Sequence, residues 1–159
     1  MSLDKERVTA ALGKEAAYGK DLDLNAFDDD DAVHAKTLGD LSNQGRAKLE
    51  KVGMELDESN RSATFVQVDN NATKLDIKPD TPLVLMNTGD AAKKYPELVK
   101  KYWWHAVAPD KDKYTAKTAL EHENGYFIHL QKGVKISTPL QACVFMSHEH
   151  QLQRVHNVV

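Results

Sequence analysis

The sequence predicts an α+β fold in two parts: a mixed helical region over residues 1–124, then a run of short strands over 125–159. Two observations carry this. Before Gly125, apolar residues recur mostly at helical spacing, interrupted by one hairpin pattern and one short apolar run. After Gly125 the period becomes two and stays there. Short strands with short connections suit a sandwich, a barrel or a β-helix.

The elements follow in order. Residues 4–18 read as a helix, with Val8, Leu12 and Ala16 at i, i+4 and i+8 and Ala11 beside them. That stripe is thin, so the helix needs a partner surface. Residues 21–31 hold six aspartates in eleven positions and read as a solvated linker. A calcium loop would want alternating oxygen ligands, a glycine at the turn and a closing glutamate, and the consecutive Asp28 to Asp31 offer neither that spacing nor the glycine. A second helix is expected over about 43–52, capped by Ser42 and ended by Gly53. Residues 63–68 and 74–78 read as the strands of a hairpin, with Asp69-Asn70-Asn71 as its turn and Pro79 as its end. Residues 83–86 are continuously apolar, as expected of a strand covered on both faces.

Thr88 or Asp90 can start the next helix, and Pro96 suits the first turn of a further piece over 96–105. There Leu98, Val99, Tyr102 and Trp103 share a face, and Trp104 lies off it. A helix over about 112–123 takes Asp112 as its cap and ends before Asn124-Gly125. Strands are then expected over 126–131, 134–137, 140–146 and 154–159, with Lys132-Gly133 as a turn and Pro139 as a break. The last runs to the final residue without a turn or polar tail, which predicts a piece of a longer protein.

Composition narrows the functional classes. Acidic residues number 24 against 21 basic ones, a net charge of −3, which speaks against nucleic-acid binding through a basic face. Cys143 is the only cysteine, so the chain alone builds no disulfide and no Cys₂His₂ or Cys₄ zinc site. No apolar run is longer than five residues, far short of a membrane span, and the N-terminus has no apolar signal segment. A cytoplasmic protein is the expectation. Residues 1–3 have the look of a cloning remnant.

Several residues invite a chemical reading. Cys143 alternates with Phe145 against Val144 and reads as a small, half-buried apolar residue, with nothing nearby to lower its pKa. His148, Glu149, His150 and His156 could supply ligands to a metal in a cupin-like small barrel. Positions 148 and 150 share a strand face, but they lack helical i, i+4 geometry, and a solvated loop is the plainer reading. No phosphate-cradling GxGxxG or GxxxxGK[ST] is present. Lys93, Lys94, Lys100 and Lys101 beside Trp103-Trp104 read as a solvated helix face next to core aromatics. Trp104 reads either as a contact to another chain, the anchor of an adaptor module, or as packing beneath a loop.

An ordered set of segments carries a resemblance. Lys94-Tyr-Pro-Glu-Leu-Val-Lys-Lys-Tyr102 is followed by Asp112-Lys-Tyr-Thr-Ala-Lys-Thr-Ala-Leu120, then Gly125 to Lys135, then Pro139-Leu-Gln141. In that order and spacing the chain resembles the SufB/SufD family of iron–sulfur cluster assembly scaffolds over about residues 40–159. The segment from Arg61 to Asp69 is similar to one that precedes these in family members. The family pattern is a "YPELVK.Y" helix, a "DKFxALN"-like helix and "G.FIYVPKGVK...PLQ", with Gln131 standing here where proline is usual.

The resemblance implies an N-terminal α/β region, a long right-handed parallel β-helix and a C-terminal helical region. It implies a cytoplasmic complex with a SufC-type ATPase and a SufB/SufD-type partner subunit. The chain would be the N-terminal cap, residues 1–124, plus the first β-helix coils over 125–159. It would be a non-enzymatic scaffold component with no catalytic, cofactor-binding or metal-binding residues of its own. The cluster would be transient and held on the full-length complex, where the family's catalytic-type cysteine lies downstream of these residues. SufB-type subunits commonly carry "FRIN" after the "PL", whereas Val144-Phe145-Met146-Ser147 stand here, so the chain is more SufD-like or undifferentiated. An uncovered last coil over 154–159, with Val155, Val158 and Val159, is expected to pair two copies of the segment into a dimer.

Overall fold

The computed structural model describes residues 3–29, 36–121 and 124–159. At its centre lies β1 (Ala63–Val68), every residue of which is buried. β1 pairs antiparallel with β2 (Asn71–Ile77) and parallel with β5 (Gln141–Phe145), giving the order β2-β1-β5. The hairpin turn is Asp69-Asn70, and Asp69 takes a φ of 51°, which aspartate tolerates better than most residues. β3 (Val84–Asn87) and β4 (Tyr126–His129) form a separate antiparallel pair.

Alternating side chains give β1 two cores. Val66 and Val68 pack with Met54 and with Leu49 of α2 (Asn43–Lys51), and Cys143 and Phe145 close the margin. Ala63 and Phe65 pack with Leu85 and Ile128, joining the two sheets. β4 also works on both faces. Phe127 packs with Val158, with Ala91 of α3 (Thr88–Lys94) and with Val99 of α4 (Pro96–Tyr102). The Tyr95 ring stacks on Phe127 at 6.1 Å between centroids. A smaller core joins α1 (Lys5–Ala10) to α5 (Lys113–Glu121) through Val8, Ala11 and Ala116.

Gln141 sets the register where β5 meets β1. Its Oε1 accepts from the Glu55 amide at 3.1 Å and from Arg61 Nε at 3.2 Å. Its Nε2 donates to the Glu55 carbonyl at 2.9 Å and to Thr64 Oγ1 at 3.0 Å. A buried amide with all four of these bonds is satisfied, and sliding the strand would orphan them.

Many local expectations hold. Ser42 Oγ accepts from the Gly45 amide at 3.1 Å, and Gly53 follows α2 at a φ of 95°. Pro96 opens α4, Asp112 caps α5 and the hairpin lies where the period-two runs place it. The mixed α+β class holds as well. No helix among the described residues is long and apolar enough to cross a membrane.

Other expectations fail for identifiable reasons. The first helix stops at Ala10 and tightens over 11–13 instead of running to residue 18. The amides of Ala16 and Ala17 bond to the carboxylates of Asp21 and Asp112, which replaces helical bonding there. The described part of the aspartate-rich segment, residues 21–29, is tied down rather than a free linker. Asp28 forms a parallel bridge with Gln151, donating to the His150 carbonyl at 2.7 Å and accepting from the Leu152 amide at 2.9 Å. Asp30 and Asp31 of that reading, the last expected residues of α5 (122–123) and residues 1–2 lie outside the described residues.

α4 ends at Tyr102 rather than 105, because Trp103 is extended and Trp104 turns left-handed at a φ of 54°. Trp103 therefore covers the Val99 cluster, and Tyr102 is left exposed instead of sharing that core. Residues 134–137 form no ladder, since no strand lies beside them among the described residues. Residues 154–159 form a single parallel bridge, Val158 to Phe127, in place of a full strand.

Three predictions follow from these cores. Phe65→Ala should cost about 3–5 kcal/mol in urea unfolding, because it empties the space between the two sheets; a loss under about 1 kcal/mol would contradict this packing. Gly125 has a φ of 121°, and a Cβ there would sit 2.4 Å from the His156 carbonyl oxygen. Gly125→Ala should therefore speed amide exchange at Ile128 and Val158, whereas unchanged exchange would show that the 156–158 segment is not held this closely. Burial pushes the Cys143 thiol up. The thiol then ionises more easily in the unfolded chain, so its contribution to stability is complete below the free-thiol pKa, about 8.5, and falls as pH rises through it. Iodoacetamide should label Cys143 more slowly than it labels a cysteine peptide at neutral pH, and fast labelling would rule out the buried placement.

Candidate interaction surface

The best-formed surface lies where α4 ends. Trp103 donates its amide to the Val99 carbonyl at 2.7 Å, and His105 donates to Tyr102 at 3.2 Å across the reversal. A left-handed φ is an outlier for so bulky a residue as Trp104. The reversal brings both indoles onto His156. The Trp103 ring lies edge-on at 4.8 Å between centroids, and the Trp104 ring lies tilted at 4.2 Å.

His156 is placed by backbone bonding to β4. Its amide donates to the Asn124 carbonyl at 3.0 Å. The Val158 amide donates to Tyr126 at 2.9 Å, and the Ile128 amide donates to Val158 at 2.8 Å. The Tyr126 amide donates to Asn157 Oδ1 at 3.0 Å. Trp104 thus packs on a later segment of its own chain, and it also walls two cavities. A larger one, of about 730 Å³, opens between α1, α3 and α4. A smaller one, of about 550 Å³, lies between residues 104–107, Tyr114 and residues 155–159. Of the lysines, Lys93 and Lys100 line the larger cavity, and Lys94 and Lys101 lie over the Tyr95 and Tyr102 rings at 5.7 and 5.0 Å.

The histidines are not brought together. His148 Nδ1 lies 2.5 Å from Ser147 Oγ, which donates to Asp69 Oδ2 at 2.7 Å. The His150 ring faces Phe27 at 6.4 Å, His156 sits under the indoles and Glu149 is exposed. Among the described residues no three histidine, cysteine or acidic side chains are placed to hold a metal together. The cupin-like arrangement of His148, His150 and His156 is therefore not what these residues build. Asp69 instead binds a loop: it also accepts from the Ser147 amide at 2.8 Å. Cys143 is half-buried, as its alternation predicts.

One buried charge escaped the sequence reading. Arg154 is buried and pairs with Asp29, with Glu121 at 3.2 Å and, through its amide, with Asn70 Oδ1 at 3.0 Å. Lys117 joins the same cluster, 2.5 Å from Asp29 and 3.0 Å from Glu121. The density of aspartates near 29 was the available signal, but it does not say which cation they meet. Asp112, expected as the cap of α5, also accepts from the Ala17 amide at 3.2 Å. Burial would raise its pKa, yet the amides of Thr115 and Ala17 hold the carboxyl below its usual value, so it caps α5 as an anion.

Residues 56–142 match the family model described as the SufBD protein N-terminal region. An iron–sulfur cluster assembly SufBD family protein of Methanothermobacter thermautotrophicus (strain Delta H) is 35% identical over 161 residues, covering 97% of this chain and 39% of the relative. A protein of the same description in Archaeoglobus fulgidus is 35% identical, covering 72% of this chain and 30% of the relative. The iron–sulfur cluster assembly protein SufB of Bacillus subtilis is 22% identical, covering 82% and 31%. The chain thus spans well under half the length of the curated relatives it matches. With the family model matched over residues 56–142 and 35% identity along nearly all its length, the chain belongs to the SufBD family.

Proposed function

We propose that this chain is the N-terminal segment of an iron–sulfur cluster assembly scaffold, that it is not itself catalytic, and that it starts a right-handed parallel β-helix over residues 125–159. Family membership supports the role. The observation that favours the β-helix is the parallel bridge between Phe127 and Val158, with bonds running both ways between the two backbones. A chain that returns to lie parallel beside its own earlier strand is the first step of a coil. Residues 1–124 then act as a cap. α3 and α4 place Ala91 and Val99 on Phe127, covering a face that a bare coil would expose.

On this reading the working complex contains a SufC-type ATPase and a SufB/SufD-type partner subunit in the cytoplasm. The nascent cluster is cargo, assembled elsewhere in the complex. Cys143 is a poor ligand for it, because burial disfavours the thiolate that binds iron. The missing arginine and asparagine around 144–147 favour a SufD-like part in the pair. On its own, the segment pairs with a second copy through the outer edge of residues 155–159, where Val159 is 84% exposed.

Co-expression of the full-length protein with a SufC-type ATPase and a cysteine-bearing SufB-type subunit should recover the three together on affinity purification. The segment alone, reconstituted anaerobically with ferrous iron and sulfide and then desalted, should retain no cluster absorption. A full-length protein recovered by itself, or a segment holding a stoichiometric cluster, would overturn this reading. Light scattering should show the segment as a dimer, and a monomer at high concentration would remove the pairing.

A further inference from the structure

We infer that the start of α5 is a docking site for an acidic loop of a partner protein, and that residues 14–23 sit on it as a built-in competitor. This is independent of the scaffold reading. Five polar contacts to residues 110–114 hold the segment in place. Lys14 Nζ donates to the Asp110 carbonyl at 2.6 Å, and the Ala17 amide donates to Asp112 Oδ2 at 3.2 Å. Lys111 Nζ donates to Tyr18 Oη at 2.9 Å and lies 4.4 Å from the centre of that ring. Lys113 Nζ donates to Asp21 Oδ2 at 2.7 Å, and the Leu22 amide donates to Tyr114 Oη at 2.8 Å. No apolar anchor backs these contacts: no residue from 12 to 29 is buried, and Tyr18 is 80% exposed. Segments with few buried contacts and exposed hydrogen bonds are the first to open. The flanks are fixed better. Val8 and Ala11 pack with Ala116 before the segment, and Asp28 bridges to Gln151 after it. Residues 14–23 can therefore lift while both ends stay attached.

The contacts define what fits. Lys111 takes an aromatic hydroxyl and ring, Lys113 takes a carboxylate, and Asp112 and Tyr114 each accept one backbone N–H. The segment meets these demands as a small loop. It is closed by the Ala16 amide donating to Asp21 Oδ1 at 2.8 Å and turned at Gly19, with a φ of 74°. Lys113 and the Ala16 amide hold the Asp21 carboxyl below its usual value, and Asp21 in turn raises the Lys113 ammonium. Under the segment the Lys113 side chain is only 14% exposed, so lifting residues 14–23 returns a cation to the surface. A partner loop with a tyrosine and, three residues later, an aspartate would reproduce the contacts of Tyr18 and Asp21. A tethered competitor of this kind acts at about millimolar effective concentration, so the partner gains most once the segment is loosened.

The test loosens the segment in the whole chain and supplies the loop from outside. Tyr18→Ala with Asp21→Asn removes two of the five contacts, and both residues are exposed, so the thermal melt should stay unchanged. The probe is a fluorescein-labelled peptide copying residues 14–23, followed by anisotropy at low salt. The loosened chain should bind it at one saturable site, about tenfold more tightly than the unaltered chain does. Adding Lys111→Gln and Lys113→Gln to the loosened chain should abolish binding. A decapeptide of glutamates should bind more weakly than the probe, because it lacks the tyrosine and the turn. Amide exchange at Ala17 and Leu22 of the unaltered chain should speed up at about 1 M salt while Phe65 stays protected. Equal probe affinity for the loosened and unaltered chains overturns the inference. So does binding that survives the lysine changes, polyglutamate that binds as well as the probe, or no binding up to about 1 mM peptide. Exchange at Ala17 and Leu22 that ignores salt would show that charge does not hold the segment, and would overturn it too.

Discussion

The burial of β1 on both faces governs the rest of the structure. A strand with Val66 and Val68 on one side and Phe65 on the other needs a hydrophobic layer above and below it. α2 supplies one layer and the β3–β4 pair supplies the other. The edges of β1 are filled differently. β2 arrives through a tight hairpin, which is local. β5 arrives parallel, which requires a long crossover. β3, α3, α4, α5 and β4 all lie in that crossover, so the second sheet and its helices are built in the course of returning the chain to β1. Gln141 then fixes where the return ends, because its amide bonds at once to Glu55, Arg61 and Thr64.

A second constraint is electrostatic. Arg154 is taken out of water, which is costly unless its charge is matched. Asp29 and Glu121 match it, and Lys117 balances the two acids in turn. One buried cation thereby draws together the aspartate-rich segment, the end of α5 and the chain after β5. The parallel bridge between Asp28 and Gln151 lies beside it, so the backbone and the charges agree on the same register.

What was legible in the sequence was local. Ser42, Pro96, Asp112 and the Asp69-Asn70 turn act within a few residues of themselves, so their chemistry is visible in a short window. The ordered family segments placed the chain correctly for a related reason: they mark the pieces that the crossover must position. What was illegible depended on distant partners. Val8, Leu12 and Ala16 have helical spacing, but Asp21 and Asp112 capture the amides that would continue the helix. Val134 and Ile136 alternate like a strand and find no strand to pair with among the described residues. Arg154 looks like any surface arginine until Asp29 is brought beside it. Trp104 was left between two readings, and only the position of His156 shows that it packs within its own chain.

Gly125, His156 and the two indoles form one continuous contact. The His156 carbonyl presses on Gly125 where no side chain fits, and the His156 ring fills the angle between Trp103 and Trp104. The backbone at Gly125 is also the start of β4, and its carbonyl accepts from the Thr88 amide at the head of α3. The end of α4, the start of α3 and the rung between β4 and Val158 therefore meet at one glycine. The strained backbone at Trp104 is held by the same contact: the left-handed turn persists because His156 gives its ring a place to pack, and His156 keeps that place only while its backbone stays bonded to Asn124.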